Sequence, residues 1–255
     1  MRTIKLLIAY DGTDFCGWQR QEKRPSGDAA RTVQAVIESA LKQMHKHPVT
    51  LTGSGRTDSG VHAAGQVANF STDIDSIDPR RFVQALNGLL PRDVRILEAA
   101  ETRADFHARF DARMRTYRYY FICGRQALPH ESRYALQLWR SPRVGLLNAY
   151  CRLLLGERDC TIFAATGGDG KSRSRHISHA AFFPEGGRLV FEISANAFLW
   201  KMVRSITGTF LHYEERDAPP EMLRDILTSG NRALAGPTLP PQGLFLWKIE
   251  YYRGL

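Results

Sequence analysis

The stretch Val49-Thr50-Leu51-Thr52-Gly53-Ser54-Gly55-Arg56-Thr57-Asp58-Ser59-Gly60-Val61-His62-Ala63 joins two strand-like segments through a glycine-rich loop. Val49 to Thr52 alternates as a half-buried strand does, and Val61 to Phe70 alternates again, less cleanly. Between them stand three glycines, one arginine and a single carboxylate. Glycine permits backbone angles and close approaches that other residues forbid. Asp58 is therefore presented on a tight loop between two strands, with room beside it for a ligand. Asp-Ser-Gly alone is ordinary turn chemistry. A plain hairpin, however, has no need of Arg56 two residues before the aspartate or of His62 four after it.

Upstream, Thr3 to Tyr10 reads as a strand with Ile4, Leu6, Ile8 and Tyr10 on one face. It runs into a polar loop, Asp11 to Gln21, that holds Phe15 and Trp18 next to Arg20. Two readings are open there: the aromatics stack on nucleic-acid bases, or they pack back onto the sheet. Lys23 to Gly27 reads as a basic loop. Thr32 to His45 is predicted helical, its apolar stripe made of Val33, Val36, Ile37, Ala40, Leu41 and Met44.

Downstream, Asp78 as cap and Pro79 in the first turn open a second helix ending near Asn87-Gly88. Val94 to Ala99 is a strand. The order strand, helix, strand, strand, helix, strand then recurs. Its second set is a strand at Arg115 to Ile122 and a helix at Val144 to Leu155. A hairpin follows, Arg175 to Phe183 and Arg188 to Ser194 around Glu185-Gly186-Gly187. A long helix at Phe198 to Tyr213 and a strand at Leu244 to Tyr252 complete it. Two β-α-β-β-α-β units predict an α+β protein, two ferredoxin-like halves forming one mostly antiparallel sheet. Residues 1–104 form the half with the aspartate loop and residues 105–255 the other, joined through a turn-rich stretch at 123–143.

The 255 residues hold 35 Lys and Arg against 26 Asp and Glu, a formal net charge of +9. That points to a polyanionic partner, most simply nucleic acid, although an anionic membrane surface or solubility alone also fits. No apolar run approaches the roughly 18 residues of a membrane span, and the run from Leu6 stops at Asp11, short for a signal peptide. Cys16, Cys123, Cys151 and Cys160 form no Cys-x-x-Cys pair and read as reduced thiols of a cytoplasmic protein. The histidines lack metal-site spacing, so no metal is expected.

Phe106 to Tyr120 interleaves Arg109, Arg113, Arg115 and Arg118 with Tyr117, Tyr119 and Tyr120. Such a stretch serves phosphates and bases together, or else its tyrosines fill a core while its arginines meet water. On the helix from Phe198, at about 100° per residue, Arg204 falls opposite the apolar stripe, with Gly208 one turn later. Arg204 is then either solvated or faces a cleft and pairs with a carboxylate, with Gly208 admitting another group. Ala165 to Ser172 fits a relaxed phosphate-loop pattern, but the residues after it read as a strand, so no helix N-terminus is there to bind phosphate. It is better taken as a basic loop offering Lys171, Arg173 and Arg175 to phosphates.

Gly55-Arg56-Thr57-Asp58-Ser59-Gly60-Val61-His62-Ala63 resembles the signature of the tRNA pseudouridine synthase A family. The likeness extends through Tyr10-Asp11-Gly12-Thr13, Gly17-Trp18-Gln19, Thr32-Val33-Gln34, Ala85-Leu86-Asn87, Phe106-His107-Ala108-Arg109-Phe110, Thr116-Tyr117-Arg118-Tyr119, Met202-Val203-Arg204 and Gly243-Leu244-Phe245-Leu246. It covers nearly the whole chain. The resemblance implies a homodimer that converts uridine to pseudouridine at tRNA positions 38–40, in the anticodon stem-loop, without metal or organic cofactor, with tRNA lying across both subunits. By position it makes Asp58 the catalytic aspartate, Tyr117 the aromatic residue near the target base and Arg204 the partner of Asp58. Expected RNA contacts are Arg56, His62, Trp18, Arg20, Phe106, Arg109, Lys171, Arg173 and Arg175. Two segments depart from the pattern: Arg158 and Cys160 replace the usual His and Phe after Gly156, and Ala195-Asn196-Ala197 stands where glycine is commoner. A catalytically silent RNA-binding protein on the same fold is the main alternative. A metal-dependent nuclease would want clustered metal ligands that the sequence does not display.

Overall fold

The computed structural model describes residues 1–21, 30–165 and 172–252. The chain is α+β with mostly antiparallel strands, and it divides into two compact units, residues 1–113 with 245–255 and residues 114–244. The reading of Lys23 to Gly27 falls outside the described residues.

In the first unit, β1 (Arg2–Tyr10) is the central strand. Along it β3 (His62–Thr72) and β4 (Val94–Thr102) pair on either side, both antiparallel. A two-residue β2 (Thr52–Gly53) pairs with the far edge of β3. The order β4-β1-β3-β2 is that of a ferredoxin-like β-α-β-β-α-β unit. β10 (Leu244–Tyr251) adds to β3 in parallel, Phe245 opposite His62 and Leu246 opposite Ala63. Ile4, Leu6 and Ile8 of β1 are fully buried, as are Val33, Ile37 and Leu41 of α1 (Val33–His45) and Phe82 and Leu86 of α2 (Arg81–Leu89). Each helix therefore turns one apolar stripe inward, as the sequence spacing requires. Thr32 caps α1, its hydroxyl accepting from the Ala35 amide.

In the second unit, β5 (Ala112–Cys123), β9 (Arg188–Ala195), β8 (Ser174–Glu185) and β7 (Gly156–Asp159) run antiparallel in that order. β6 (Leu136–Leu138) lies parallel to β5. Gly186 at φ 56° and Gly187 at φ 75° make the two-residue turn between β8 and β9. Both angles are left-handed, which matches the twist of a tight hairpin and calls for glycine. Tyr119, Phe121, Phe182, Phe191 and Phe210 build the core, the Phe182 and Phe191 rings stacked 4.5 Å apart. The helices are α3 (Val144–Leu154), α4 (Met202–Glu215) and α5 (Pro220–Ser229).

Several expected boundaries move. The strand read at Val49 to Thr52 shrinks to Thr52–Gly53. α2 begins at Arg81, because Asp78 closes a tighter turn first: its carboxylate accepts from the Arg80 amide at 2.8 Å and its carbonyl from the Arg81 amide at 2.9 Å. α4 begins at Met202 rather than Phe198, because Lys201 takes a left-handed φ of 60° that no helix continues through. α4 is also not two-faced: Ser205, Thr207, Gly208 and Thr209 are as buried as Ile206 and Phe210. α5 is an addition to the expected elements, although Pro220 in its first turn and Gly230 at its C-cap, φ 63°, punctuate it clearly.

No helix among the described residues is long and apolar enough to cross a membrane. Among the described residues Cys123, Cys151 and Cys160 form no disulfide. Burial pushes the Cys151 thiol up to about 12 and the Cys160 thiol up to about 11, so both stay protonated and inert at neutral pH.

Candidate active site

Asp58 sits half-buried on the loop between β2 and β3. A loop without ladder partners must satisfy its backbone groups elsewhere, and here a second loop, residues 11–20, does so. The Trp18 amide donates to the Thr57 carbonyl at 3.1 Å, and the Gly60 amide to the Phe15 carbonyl at 3.3 Å. The Ser59 hydroxyl donates to that same Phe15 carbonyl at 3.1 Å. The Tyr10 hydroxyl lies 2.8 Å from the Thr57 hydroxyl. Fully buried Gln66 braces the loop from beneath, its amide donating to the Gly55 carbonyl at 2.8 Å and accepting from the Ser54 hydroxyl at 2.6 Å.

The approach is close enough to demand glycine. A Cβ on Gly12 would lie 2.0 Å from the Val61 carbonyl oxygen. One on Gly17, whose φ is +94°, would lie 2.6 Å from that of Thr57. A Cβ on Gly53 would strike the Trp18 ring at 2.5 Å. Asp58 thus emerges from two interlocked loops.

This interlock settles Phe15 and Trp18, each 2% exposed: they pack. Trp18 has no open face for a base, so its expected RNA contact is corrected. His62 is corrected in the same way. It is fully buried, accepts the Gly12 amide on Nδ1 at 3.0 Å and stacks on Phe245 at 4.6 Å. It secures the loop rather than meeting RNA. Phe106, 3% exposed, packs on Tyr251 with centroids 5.2 Å apart and is likewise no stacking platform. The exposed aromatic of that stretch is Phe110, at 76%. Sequence alternation gives no hint of it, because it lies in the turn before β5.

The cations fare differently. Arg56 and Arg109 are exposed. Arg56 donates from Nε to the Gln19 side-chain oxygen at 3.2 Å, and Arg109 lies beside Phe110. Arg20 keeps most of its side chain in water while pairing with Glu38 at 2.8 Å. Arg173 and Arg175 are half-buried near the start of β8, where Arg175 donates to the Ser172 carbonyl at 2.9 Å. Lys171 lies outside the described residues. Among the described residues no three His, Cys, Asp or Glu side chains cluster as a metal site would require.

Tyr117 and Arg204 belong to the second unit. β5 places Tyr117 opposite Ile193 of β9, nearly buried, with its ring edge-on to Phe198 at 5.0 Å and 85°. Phe198, displaced from the helix, therefore becomes a wall for that tyrosine. Arg204 is half-buried on α4, and its Nε donates to the Leu239 carbonyl at 2.6 Å, so it is not a freely solvated side chain. The segment that holds it runs along α4 and β5. A Cβ on Gly208 would meet the Pro237 carbonyl oxygen at 1.8 Å, so the group that Gly208 admits is that backbone. Tyr119 donates from its hydroxyl to the Pro240 carbonyl at 2.6 Å. Burial pushes its phenol well above the ordinary range, although the Arg204 charge pulls the other way.

The segments that depart from the expected motif are structural. Cys160 is buried. Asp159 caps the short turn after β7 through the Thr161 hydroxyl and the Thr161 amide at 2.8 Å, and those bonds hold its carboxyl below the usual range. Asn196 accepts the His176 amide at 3.1 Å.

Taken together, one unit carries half-buried Asp58 on a braced loop with exposed Arg56 two residues before it, and the other carries a braced tyrosine and arginine. Comparison with known proteins gives the family. A profile described as tRNA pseudouridine synthase matches residues 6–111 and 150–252. A tRNA pseudouridine synthase A of Treponema denticola is 53% identical over 254 residues, which cover 100% of this chain and 94% of the relative. The protein of that name from Treponema pallidum is 47% identical over 237 residues, 93% of this chain and 84% of the relative. A tRNA pseudouridine synthase A 2 of Clostridium perfringens is 38% identical over 251 residues, 98% of this chain and 100% of the relative. This chain belongs to the tRNA pseudouridine synthase family.

Proposed function

We propose that this chain is an isomerase that converts uridine to pseudouridine in the anticodon stem-loop of tRNA, with Asp58 as its catalytic carboxylate. The supporting observation is the interlocked loop, which braces the backbone around half-buried Asp58 two residues after exposed Arg56 on a strongly basic chain. Binding alone has no use for such a carboxylate facing a polyanion.

The reaction breaks the N1–C1′ bond, turns the base and joins C5 to C1′. The proton leaves C5 and N1 gains one, so no oxidant, reductant or metal is called for. Asp58 attacks C1′ or stabilises the cationic sugar; either role needs it ionised. Arg204 is assigned the countercharge that keeps it so. Tyr117 is assigned to stack on the detached base and to assist removal of the C5 proton. The target base has to leave its stack to be reached. Arg56, Arg20, Arg109, Arg173 and Arg175 supply phosphate contacts whose strength falls as salt rises. The enzyme works in the cytoplasm as a homodimer, which sedimentation at twice the 28.8 kDa of one chain would bear out.

The test uses tRNA transcripts carrying tritium at uridine C5, incubated with protein in chelator. Wild type is expected to release tritium to water, and Asp58→Ala to release it more than about a thousandfold more slowly while still binding tRNA. Tight binding without release by wild type would favour a silent RNA-binding protein. Equal release by both would remove Asp58 from its role.

A further inference from the structure

Four polar side chains run from the interior of α1 to Arg56. Gln34 and Glu38 stand one turn apart on that helix, and each is only 8% exposed. Glu38 accepts from the Leu51 amide at 3.0 Å and from Arg20 Nη1 at 2.8 Å. Gln34 donates from Nε2 to the Leu51 carbonyl at 3.0 Å and to Glu38 at 3.2 Å, and its oxygen accepts from the Arg20 amide at 2.9 Å. That same oxygen accepts from Gln19 Nε2 at 3.0 Å. Gln19 then presents its own oxygen to Arg56 Nε at 3.2 Å.

The polarity of this chain is forced. A side-chain amide has one accepting end and one donating end, and its orientation follows from its partners. The Leu51 carbonyl and the Glu38 carboxylate can only accept, and the Arg20 amide can only donate. Gln34 therefore points its NH2 inward and its oxygen toward Gln19. Gln19 must answer with its NH2, which leaves its oxygen facing Arg56. Arg56 Nε carries a hydrogen and donates there. A buried carboxylate on α1 thus fixes, through two amides, which way a guanidinium two residues from Asp58 is turned.

We infer that Gln19 and Gln34, oriented by Glu38, are positioning residues that aim Arg56 at the RNA. Anchoring Nε to Gln19 sets the plane of the guanidinium and so the direction of its terminal fork, the part of arginine that grips a phosphate. This inference rests on the reading of Arg56 as a phosphate contact. It accounts for two buried polar residues in α1 where an apolar helix would pack as well.

The experiment measures tRNA dissociation constants over a series of salt concentrations for wild type, Gln19→Met, Arg56→Ala and the double variant. Gln19 is exposed, so its replacement should leave the melting temperature unchanged. Arg56→Ala should weaken binding about tenfold and lower the slope of log affinity against log salt by about one. Gln19→Met should weaken binding about threefold to fivefold and lower the slope in the same direction. In the Arg56→Ala background it should do neither. A merely loosened fold would shift affinity without touching the slope. Equal losses in both backgrounds would show that Gln19 acts on its own and overturn the inference. So would an unaltered Gln19→Met beside a weakened Arg56→Ala. Full affinity in Arg56→Ala would instead refute the Arg56 contact, and the inference with it. None of these readouts needs turnover, so a failure of the synthase reaction in the tritium assay is told apart from each.

Discussion

The two units hold their proposed site residues by opposite means. Asp58 rides on irregular backbone, and a second irregular loop supplies its hydrogen bonds, with Gly12 and Gly17 letting the two chains touch. Tyr117 and Arg204 ride on a strand and a helix whose own ladders satisfy the backbone. There the segment Pro237 to Gly243 is pressed into place, over Gly208 and the Tyr119 ring. A loop-on-loop contact can yield by shifting, at the expense of geometry. A helix cannot yield without unfolding, so the same insult costs stability.

Two alanine substitutions break that contrast most forcefully. Gly208→Ala drives a methyl to 1.8 Å from a carbonyl oxygen on a helix buried nearly all round. It should lower stability by about 3 kcal/mol or more, the upper end of overpacking, as read by urea melts. Gly12→Ala makes a similar clash, 2.0 Å from the Val61 oxygen, but between loops. It should cost about 1–2 kcal/mol, while tritium release from tRNA falls by more than about a hundredfold, as expected when a small displacement spoils a reacting geometry. If Gly12→Ala proved the less active of the two only because it was less folded, the contrast would be wrong.

The far end of α4 sharpens it. Glu214 is fully buried yet ionic, accepting from Arg140 Nη1 at 3.1 Å, the Arg143 amide at 2.9 Å and Arg143 Nε at 3.1 Å. Burial alone would raise its carboxyl, but the hydrogen bonds from Arg140 and from the Arg143 backbone and side chain outweigh it and hold the group below the ordinary range. A carboxyl depressed in the folded state stabilises above its unfolded pKa, and that contribution disappears as pH falls through the folded value. Glu214→Gln should therefore cost about 2 kcal/mol at neutral pH. That is less than the roughly 3–5 of a fully buried pair, because Arg140 and Arg143 keep nearly half their side-chain surface in water. The gap to wild type should close as pH drops below about 4. Arg204 is ten residues away, roughly 15 Å along the helix, so turnover by the folded variant should be unaffected.

The same contrast accounts for what the sequence disclosed. Regular elements write their periodicity into the chain, and so β1, α1, α3 and the β8–β9 hairpin fall within a residue or two of where alternation and capping place them. The loop that carries Asp58 is legible because three glycines close to one carboxylate mark a loop shaped for tight approach. Trp18, His62 and Phe106 mislead for a physical reason. An aromatic beside arginines looks the same on paper whether it faces a base or, as Trp18 does, covers a glycine Cα across a loop. That choice is made by tertiary contact between segments far apart in the chain, Trp18 with Gly53 and Gly12 with Val61. The chain of amides from Glu38 to Arg56 is hidden for a related reason: polar residues at helical spacing read as a solvated face until the loops above them are in place. Lys201 is hidden too, since nothing in its neighbours announces a left-handed lysine ahead of a helix.

The smallest effect expected is the most discriminating. Of the three glycines in the Asp58 stretch, Gly53 is accounted for by the Trp18 ring on its Cα and Gly60 by its φ of +77°. Gly55 has neither excuse: its backbone angle is ordinary, and an added Cβ would meet nothing within 4 Å. Gly55→Ala should therefore leave thermal stability within about 0.5 kcal/mol of wild type, or raise it slightly by restricting the unfolded loop. If the space beside Gly55 is where RNA backbone passes Arg56, the methyl should still raise KM for tRNA about threefold, the effect of a small steric intrusion at a contact. An unchanged melting temperature with a raised KM would assign that space to substrate. An unchanged KM would mean that RNA approaches Asp58 from the other side of the loop, and Arg56 would then have to reach its phosphate across the aspartate.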